Sequence, residues 1–279
     1  MIIGLKQIRV LMLCLLLTTT VAAQELYVFT EPASNLPANS LSFKVTDHFV
    51  TSDNIYNRFS HRVMPQVMMG VNKKLMFQIG GTFSNMHTPD FRPESISFYT
   101  KYRFLSNDAL HKHFRMAAFA NISATRAPFH YDEISLMGDK EGIALGLVAT
   151  QLWHKLAVSA TVTHTQLLDD SRFNKVLYIP ERNYQAMNYS LSAGYLLFPK
   201  EYRDYRQTNL NLYLEILSQQ TLDRKTGYVD IAPAMQLIFN SNTKLNLGYR
   251  FQAGGNMSRM TNNSWQLSLE RTLLGAFKK

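Results

Sequence analysis

Lys244-Leu245-Asn246-Leu247-Gly248-Tyr249-Arg250-Phe251 decides how this chain folds. Every second residue is large and apolar, and each residue between is polar or has no side chain. A period of two sends the two sets to opposite faces of a β-strand. The pattern continues on both sides. Trp265, Leu267 and Leu269 oppose Gln266, Ser268 and Glu270, and Val229, Ile231, Met235, Leu237 and Phe239 oppose Asp230, Ala232, Ala234 and Gln236.

The same alternation runs back to Ser40. Leu210–Ile216 and Tyr189–Leu197 repeat it, as do Leu156–Val162, Ile143–Ala149 and Phe114–Ile122. Four earlier runs centre on Phe98, Phe77, Val67 and Phe43. The total is twelve strands, each with one apolar and one polar face. The connections are asymmetric. Tight turns at Asn72-Lys73, at Trp153-His154 and over 240–243 follow even-numbered runs, and the long connections 124–141 and 166–187 follow odd ones. Residues 105–113 and 199–208 are exceptions, longer than a tight turn. A β-sandwich or lipocalin-like barrel would alternate too, with its apolar face inward. Twelve strands in one meander are too many for a lipocalin, and short turns at one end with long loops at the other mark a transmembrane barrel. The expected fold is therefore all-β, a transmembrane antiparallel β-barrel of about 12 strands with up-and-down order. Tyr102, Phe104, Tyr249, Phe251 and Trp265, at strand ends, suit an interfacial girdle.

The start of the chain fits export. Lys6 and Arg9 precede an apolar run at 10–17, and Ala22-Ala23-Gln24 supplies small residues for cleavage. That order predicts a signal peptide over 1–23. Its apolar run is shorter than the roughly 20 residues of a membrane-spanning helix. Cys14, the single cysteine, lies within it. Residues 24–39, with Pro32 and Pro37, are expected to form a periplasmic leader to the barrel at 40–279, although they can also fold into its mouth. The chain carries 29 Lys and Arg against 20 Asp and Glu, a net charge of +9. Export argues against nucleic acid, and a basic balance suits anionic lipid headgroups. Outer-membrane lipid, the barrel-assembly machinery and a small-molecule solute are the expected partners.

With apolar residues facing lipid, polar ones face the lumen. Arg103 and Arg115 then fall near the periplasmic mouth, with Glu270 at a similar height. Glu215, Asp230 and Arg250 fall nearer the outer mouth. Ionised groups in a narrow lumen need partners, so Asp230 with Arg250, and Arg103 or Arg115 with Glu270, are the candidate pairs. These six residues form either a polar network that fills the barrel or a constriction that orients a solute. Met64, Met68, Met76, His111 and His113 lack the spacing of a coordination shell, so no metal or cofactor is expected. No enzyme is expected either. The least favoured alternative is an outer-membrane lipid hydrolase with a Ser/His site, and it is weakened because His164 points outward by parity whereas Ser190 and Ser192 point inward.

The segment Tyr27-Val28-Phe29-Thr30-Glu31-Pro32, continuing to Ala38, resembles the opening of uncharacterised Bacteroidota-type outer-membrane β-barrel proteins. So do His113-Phe114-Arg115-Met116-Ala117-Ala118-Phe119-Ala120 and Tyr228-Val229-Asp230-Ile231-Ala232-Pro233. The wider group is similar to barrels labelled as transporters for the phenol-degradation pathway. That resemblance implies passage of a small, hydrophobic solute and supplies no catalytic motif. The alternative is a structural or adhesive barrel with partner-binding loops. Barrels of this kind often end on an aromatic residue, whereas here Phe277 is followed by Lys278-Lys279.

Overall fold

The computed structural model describes residues 27–51, 54–109, 112–127, 131–168, 183–199 and 206–277. The expected signal at 1–23, most of the 166–187 connection and His111 lie outside the described residues. Twelve strands follow in order: β1 (Ser40–Val50), β2 (Ser60–Gly70), β3 (Leu75–Ser84), β4 (Arg92–Ala109), β5 (Lys112–Thr125) and β6 (Gly142–Trp153), then β7 (Leu156–Leu167), β8 (Gln185–Phe198), β9 (Asn209–Thr221), β10 (Gly227–Phe239), β11 (Thr243–Gly255) and β12 (Asn263–Leu273). Each pairs with its chain neighbours, and β1 closes antiparallel on β12, so the sheet is a closed up-and-down barrel. The shortest strand has 10 residues, within the roughly 9–11 that cross a bilayer core.

The barrel is apolar outside and polar inside. Phe43, Val45, Ile79, Ile96, Leu145, Leu191, Leu214 and Leu269 are 46–61% exposed, while Ser42, Thr46, Gln236, Asn246 and Ser268 are buried. A lipocalin-like barrel has the reverse arrangement. Side chains of this size lose roughly 1.5–3 kcal/mol each by facing water instead of an apolar phase, so the surface suits hydrocarbon. Tyr249 packs on Trp265 at 4.7 Å between ring centroids and on Phe251 at 5.9 Å, and Tyr102 and Phe104 are exposed.

Turn chemistry sets one end. The Asn72 side chain accepts from the Lys74 and Leu75 amides at 2.7 and 3.0 Å, closing β2 onto β3. Asn240 and Ser241 both have positive φ, 50° and 58°, in the tight three-residue connection between β10 and β11, where the Asn242 amide donates to the Phe239 carbonyl at 3.1 Å. At 105–113 no longer connection is found: β4 runs on to Ala109 and β5 starts at Lys112. A register shift between Arg103 and Leu105 absorbs the irregularity. The end carrying these turns is the short-turn mouth, and the opposite end, where β5 leads into β6, is the long-loop mouth.

A lumen narrowed from both ends

Residues 27–39 enter the barrel and cross its lumen as a strap. Glu215, fully buried midway along β9, holds it. One Glu215 carboxylate oxygen accepts from the Val28 and Phe29 amides, both at 2.9 Å, and the other from the Thr30 amide at 2.9 Å and the Thr30 hydroxyl at 2.7 Å. Hydrogen bonds to an ionised acceptor are roughly twice as strong as neutral ones. Further contacts reach other walls. Gln266 on β12 donates to the Val28 carbonyl (2.7 Å), Thr150 on β6 accepts from the Ala33 amide (2.9 Å), and Lys101 on β4 donates to Glu31 and to the Pro32 carbonyl, both at 3.0 Å. Leu36 packs on Met68 and Met76, which therefore serve as filler against the strap. Near the end of β2, Gly70 is required, because a Cβ there would lie 2.2 Å from the Pro37 carbonyl oxygen. The structure thus corrects the expectation of a plain leader to the first strand.

The β5–β6 connection folds inward from the long-loop mouth, with ties to several walls over 131–141. Asp139 pairs with Arg62 on β2. Glu133 bridges Arg250 on β11 (3.3 Å) and Arg259 beyond it (3.2 Å). The Ile134 amide and carbonyl bond the Gln219 side chain of β9 at 2.8 and 2.7 Å. Burial alone would raise the Glu133 and Asp139 carboxyls. The facing cations, Arg259 and Arg250 for Glu133 and Arg62 for Asp139, outweigh it and hold both below the usual carboxylate range. Burial pushes the Lys140 ammonium down to about 7 despite Asp139, Asp132 and Glu133 nearby.

Between the strap and this inward loop lies a cavity of about 370 Å³. Phe29, Thr30 and Glu31 bound it on one side and Glu133, Ile134 and Met137 on the other. Its walls mix hydroxyls and amides (Ser97, Asn121, Thr161) with the rings of Tyr99 and Phe119. Asn121 Oδ1 and Thr161 Oγ1 are buried there without a protein hydrogen-bond partner.

The six residues singled out from sequence separate into distinct roles. Asp230 and Arg250 do pair, and Arg259 joins them, bonding Asp230 at 2.8 and 2.9 Å. Glu215 sits midway along β9, lower than Asp230 and Arg250, and is occupied by the strap. The proposed pairing of Arg103 or Arg115 with Glu270 is not formed. Glu270 on β12 bonds Lys244, its direct neighbour on β11, at 2.8 Å, and Ser42 on β1 at 3.0 Å. Arg115 bonds Asp108 at 3.0 Å and Ser34 of the strap at 2.9 Å. Strands β1 to β4 separate β12 from β5 around the ring, so the two cannot pair. Arg103 opposes Ala117 on β5 at the short-turn end. Sequence reasoning missed Lys244, Lys101 and Arg62 as anchors. Lys244 alternates with Leu245 on a polar strand face, so the parity signal was there. It missed Glu133, Asp139 and Arg259 because loop residues carry no parity.

The lipid-hydrolase geometry is not assembled among the described residues. Ser192 bonds the Thr30 hydroxyl at 2.8 Å and Glu215 at 3.3 Å inside the lumen, while His164 keeps the outward parity of Val162. His113 bonds Asp108 at 2.9 Å. No group of three His, Cys, Asp or Glu suited to a metal occurs among the described residues.

No family model matches the chain, and no curated protein matches it in sequence. Its fold is similar to solved barrels. An outer membrane channel from Pseudomonas putida F1 superposes with a TM-score of 0.62 at 13% identity, covering 88% of this chain and 100% of that one. The NanC porin superposes at 0.50 with 9% identity, covering 83% and 100%. An outer membrane phospholipase A from Escherichia coli reaches only 0.40. At these identities the likeness is one of fold, and the structural neighbours that carry it are outer-membrane channels and porins.

Proposed function

We propose that this chain is an outer-membrane barrel for passive passage of a small solute, with a lumen narrowed by its N-terminal strap and its inward loop. The observation that carries this reading is the cavity of about 370 Å³ between those two inserts, inside a polar-lined barrel. Small-molecule sites run from roughly 300 to 1,000 Å³, so the space suits one small molecule at a time. Rings beside uncharged polar groups suit an amphipathic or hydrophobic compound, in keeping with the resemblance drawn from residues 27–38 and 113–120. The charges near the cavity are mostly engaged with one another, so they shape the path and hold the inserts without driving transport. The lipid-facing exterior and the channel-like fold support placement in the outer membrane, assembled there by the barrel-assembly machinery.

Osmotic swelling of proteoliposomes tests this directly. Refolded protein should admit neutral solutes below a sharp size limit and exclude larger ones. Vesicles holding correctly folded barrel that never swell would contradict passage and favour a sealed barrel whose outer loops meet a partner.

A further inference from the structure

Among the described residues four charged side chains line the cavity, Glu31, Lys44, Glu133 and Arg250. Three of them are engaged. Glu31 pairs with Lys101, Glu133 pairs with Arg250 and Arg259, and Arg250 also pairs with Asp230. Lys44 has neither a hydrogen bond nor an ion pair among the described residues. It shares the lumenal face of β1 with the buried Ser42 and Thr46. It stands opposite Glu270 on β12, which is committed to Lys244, and opposite Gln66 on β2. The carboxylates within its electrostatic reach are Glu31 and Glu270, so three ammonium groups, Lys44, Lys101 and Lys244, share two carboxylates. One positive charge is left over at the cavity wall. An ion in a narrow lumen is costly without a partner, and an uncompensated one draws an anion to it.

The opposite wall has the complementary chemistry. In the closed ring of twelve strands β7 lies six from β1, directly across the lumen. Lys44 is the fifth residue of β1 and Thr161 the sixth of β7. Both strands start at the short-turn mouth, so the two residues lie at similar depth. Thr161 is in register with Ser190 on β8, and both line the cavity. Thr161 Oγ1 is buried without a protein partner, which is costly unless an incoming group pairs with it. On the arc between, Tyr99 on β4 and Phe119 on β5 pack ring to ring at 5.6 Å and give the cavity an apolar flank. Gly146 on β6 makes room for that flank, because a Cβ there would lie 2.3 Å from the Phe119 ring.

We infer that the cavity binds a small hydroxylated carboxylate. Its carboxylate sits at Lys44 and Gln66, its apolar body along Tyr99 and Phe119, and its hydroxyl at Thr161 and Ser190. A single surplus charge suits a monoanion rather than a dianion. The inference deepens the channel reading and rests on it, since the cavity is the solute's path.

The probe is trans-4-hydroxycyclohexanecarboxylate, compared with its uncharged amide and with cyclohexanecarboxylate, which lacks the hydroxyl. Binding is measured by calorimetry on the barrel folded in a zwitterionic detergent, and single-channel conductance is recorded from the same preparations. Neither the Lys44 nor the Thr161 side chain bonds the protein, so Lys44→Gln and Thr161→Val leave the fold intact. The wild-type protein should bind the hydroxy acid about tenfold tighter than its amide, the worth of a charge-assisted hydrogen bond. Lys44→Gln should remove that preference. Thr161→Val should weaken binding of the hydroxy acid and leave cyclohexanecarboxylate unchanged. Four results overturn the site and leave the channel reading intact: acid and amide bound alike by the wild type, a preference for the acid that survives Lys44→Gln, hydroxy-acid binding untouched by Thr161→Val, or a conducting wild type that binds neither compound. Lys44-dependent binding in a barrel that never conducts upholds the site and overturns passage.

Discussion

Glu215 shows how much one side chain does here. A carboxylate in the middle of a barrel would need a cation or water. This one is satisfied by three consecutive amides of the strap and the Thr30 hydroxyl. Replacing it removes several charge-assisted hydrogen bonds at once. Glu215→Ala is expected to weaken strap attachment by about 3 kcal/mol, read as faster hydrogen exchange of the Val28, Phe29 and Thr30 amides. Lys244 and Glu270 are a second such unit. Lys244→Met leaves Glu270 buried with the Ser42 hydroxyl and with Lys44, its neighbour on β1, but without its ion-pair partner. That change should cost about 3 kcal/mol, seen as a lower denaturation midpoint of the detergent-folded barrel, whereas Arg115→Ala should leave Glu270 unaffected.

At the scale of elements, the strands were legible from sequence and the two inserts were not. A strand with lipid on one side and a filled lumen on the other must alternate, so Leu245–Phe251 declares itself. Parity also placed Asp230 and Arg250 on lumenal faces, one strand apart, and they pair. The strap has no such constraint. It is held largely through its own backbone N–H and C=O groups, which every sequence possesses, so residues 27–39 left folding into the mouth as an alternative to a plain leader and did not decide between them. The inward loop is held by Glu133 and Asp139, whose partners lie far along the chain. Its attachment should depend on pH. Both carboxyls titrate below their ordinary values of 4.5 and 3.8, so the tethers are fully present above that range and are lost as pH falls through the lowered values. Single-channel current should therefore become noisier or larger in strong acid. Asp139→Asn, which removes one tether, should bring part of that change to neutral pH.

The whole molecule reverses the usual order of a folded protein. Its buried set is rich in Ser, Thr, Gln, Asn and paired ions beside small apolar clusters such as Leu36, Met68 and Met76, and its exposed set is rich in Leu, Ile, Phe and Val. Stability then comes from continuous antiparallel pairing closed by β1 on β12, supported by polar networks across the lumen. Such a barrel should stay folded in mild detergent and migrate differently on gels before and after boiling. The same closure leaves the lumen as the route across the membrane, and the strap and inward loop set its width.

Single-channel conductance in a planar bilayer, wild type against Glu215→Ala, tests that arrangement most directly. Small, restricted steps from the wild-type protein and clearly larger ones from Glu215→Ala, in barrels that both show the folded gel shift, are the predicted result. Equal conductance from the two, or none from either, would contradict the account, because a strap that crosses an open lumen must matter to what passes.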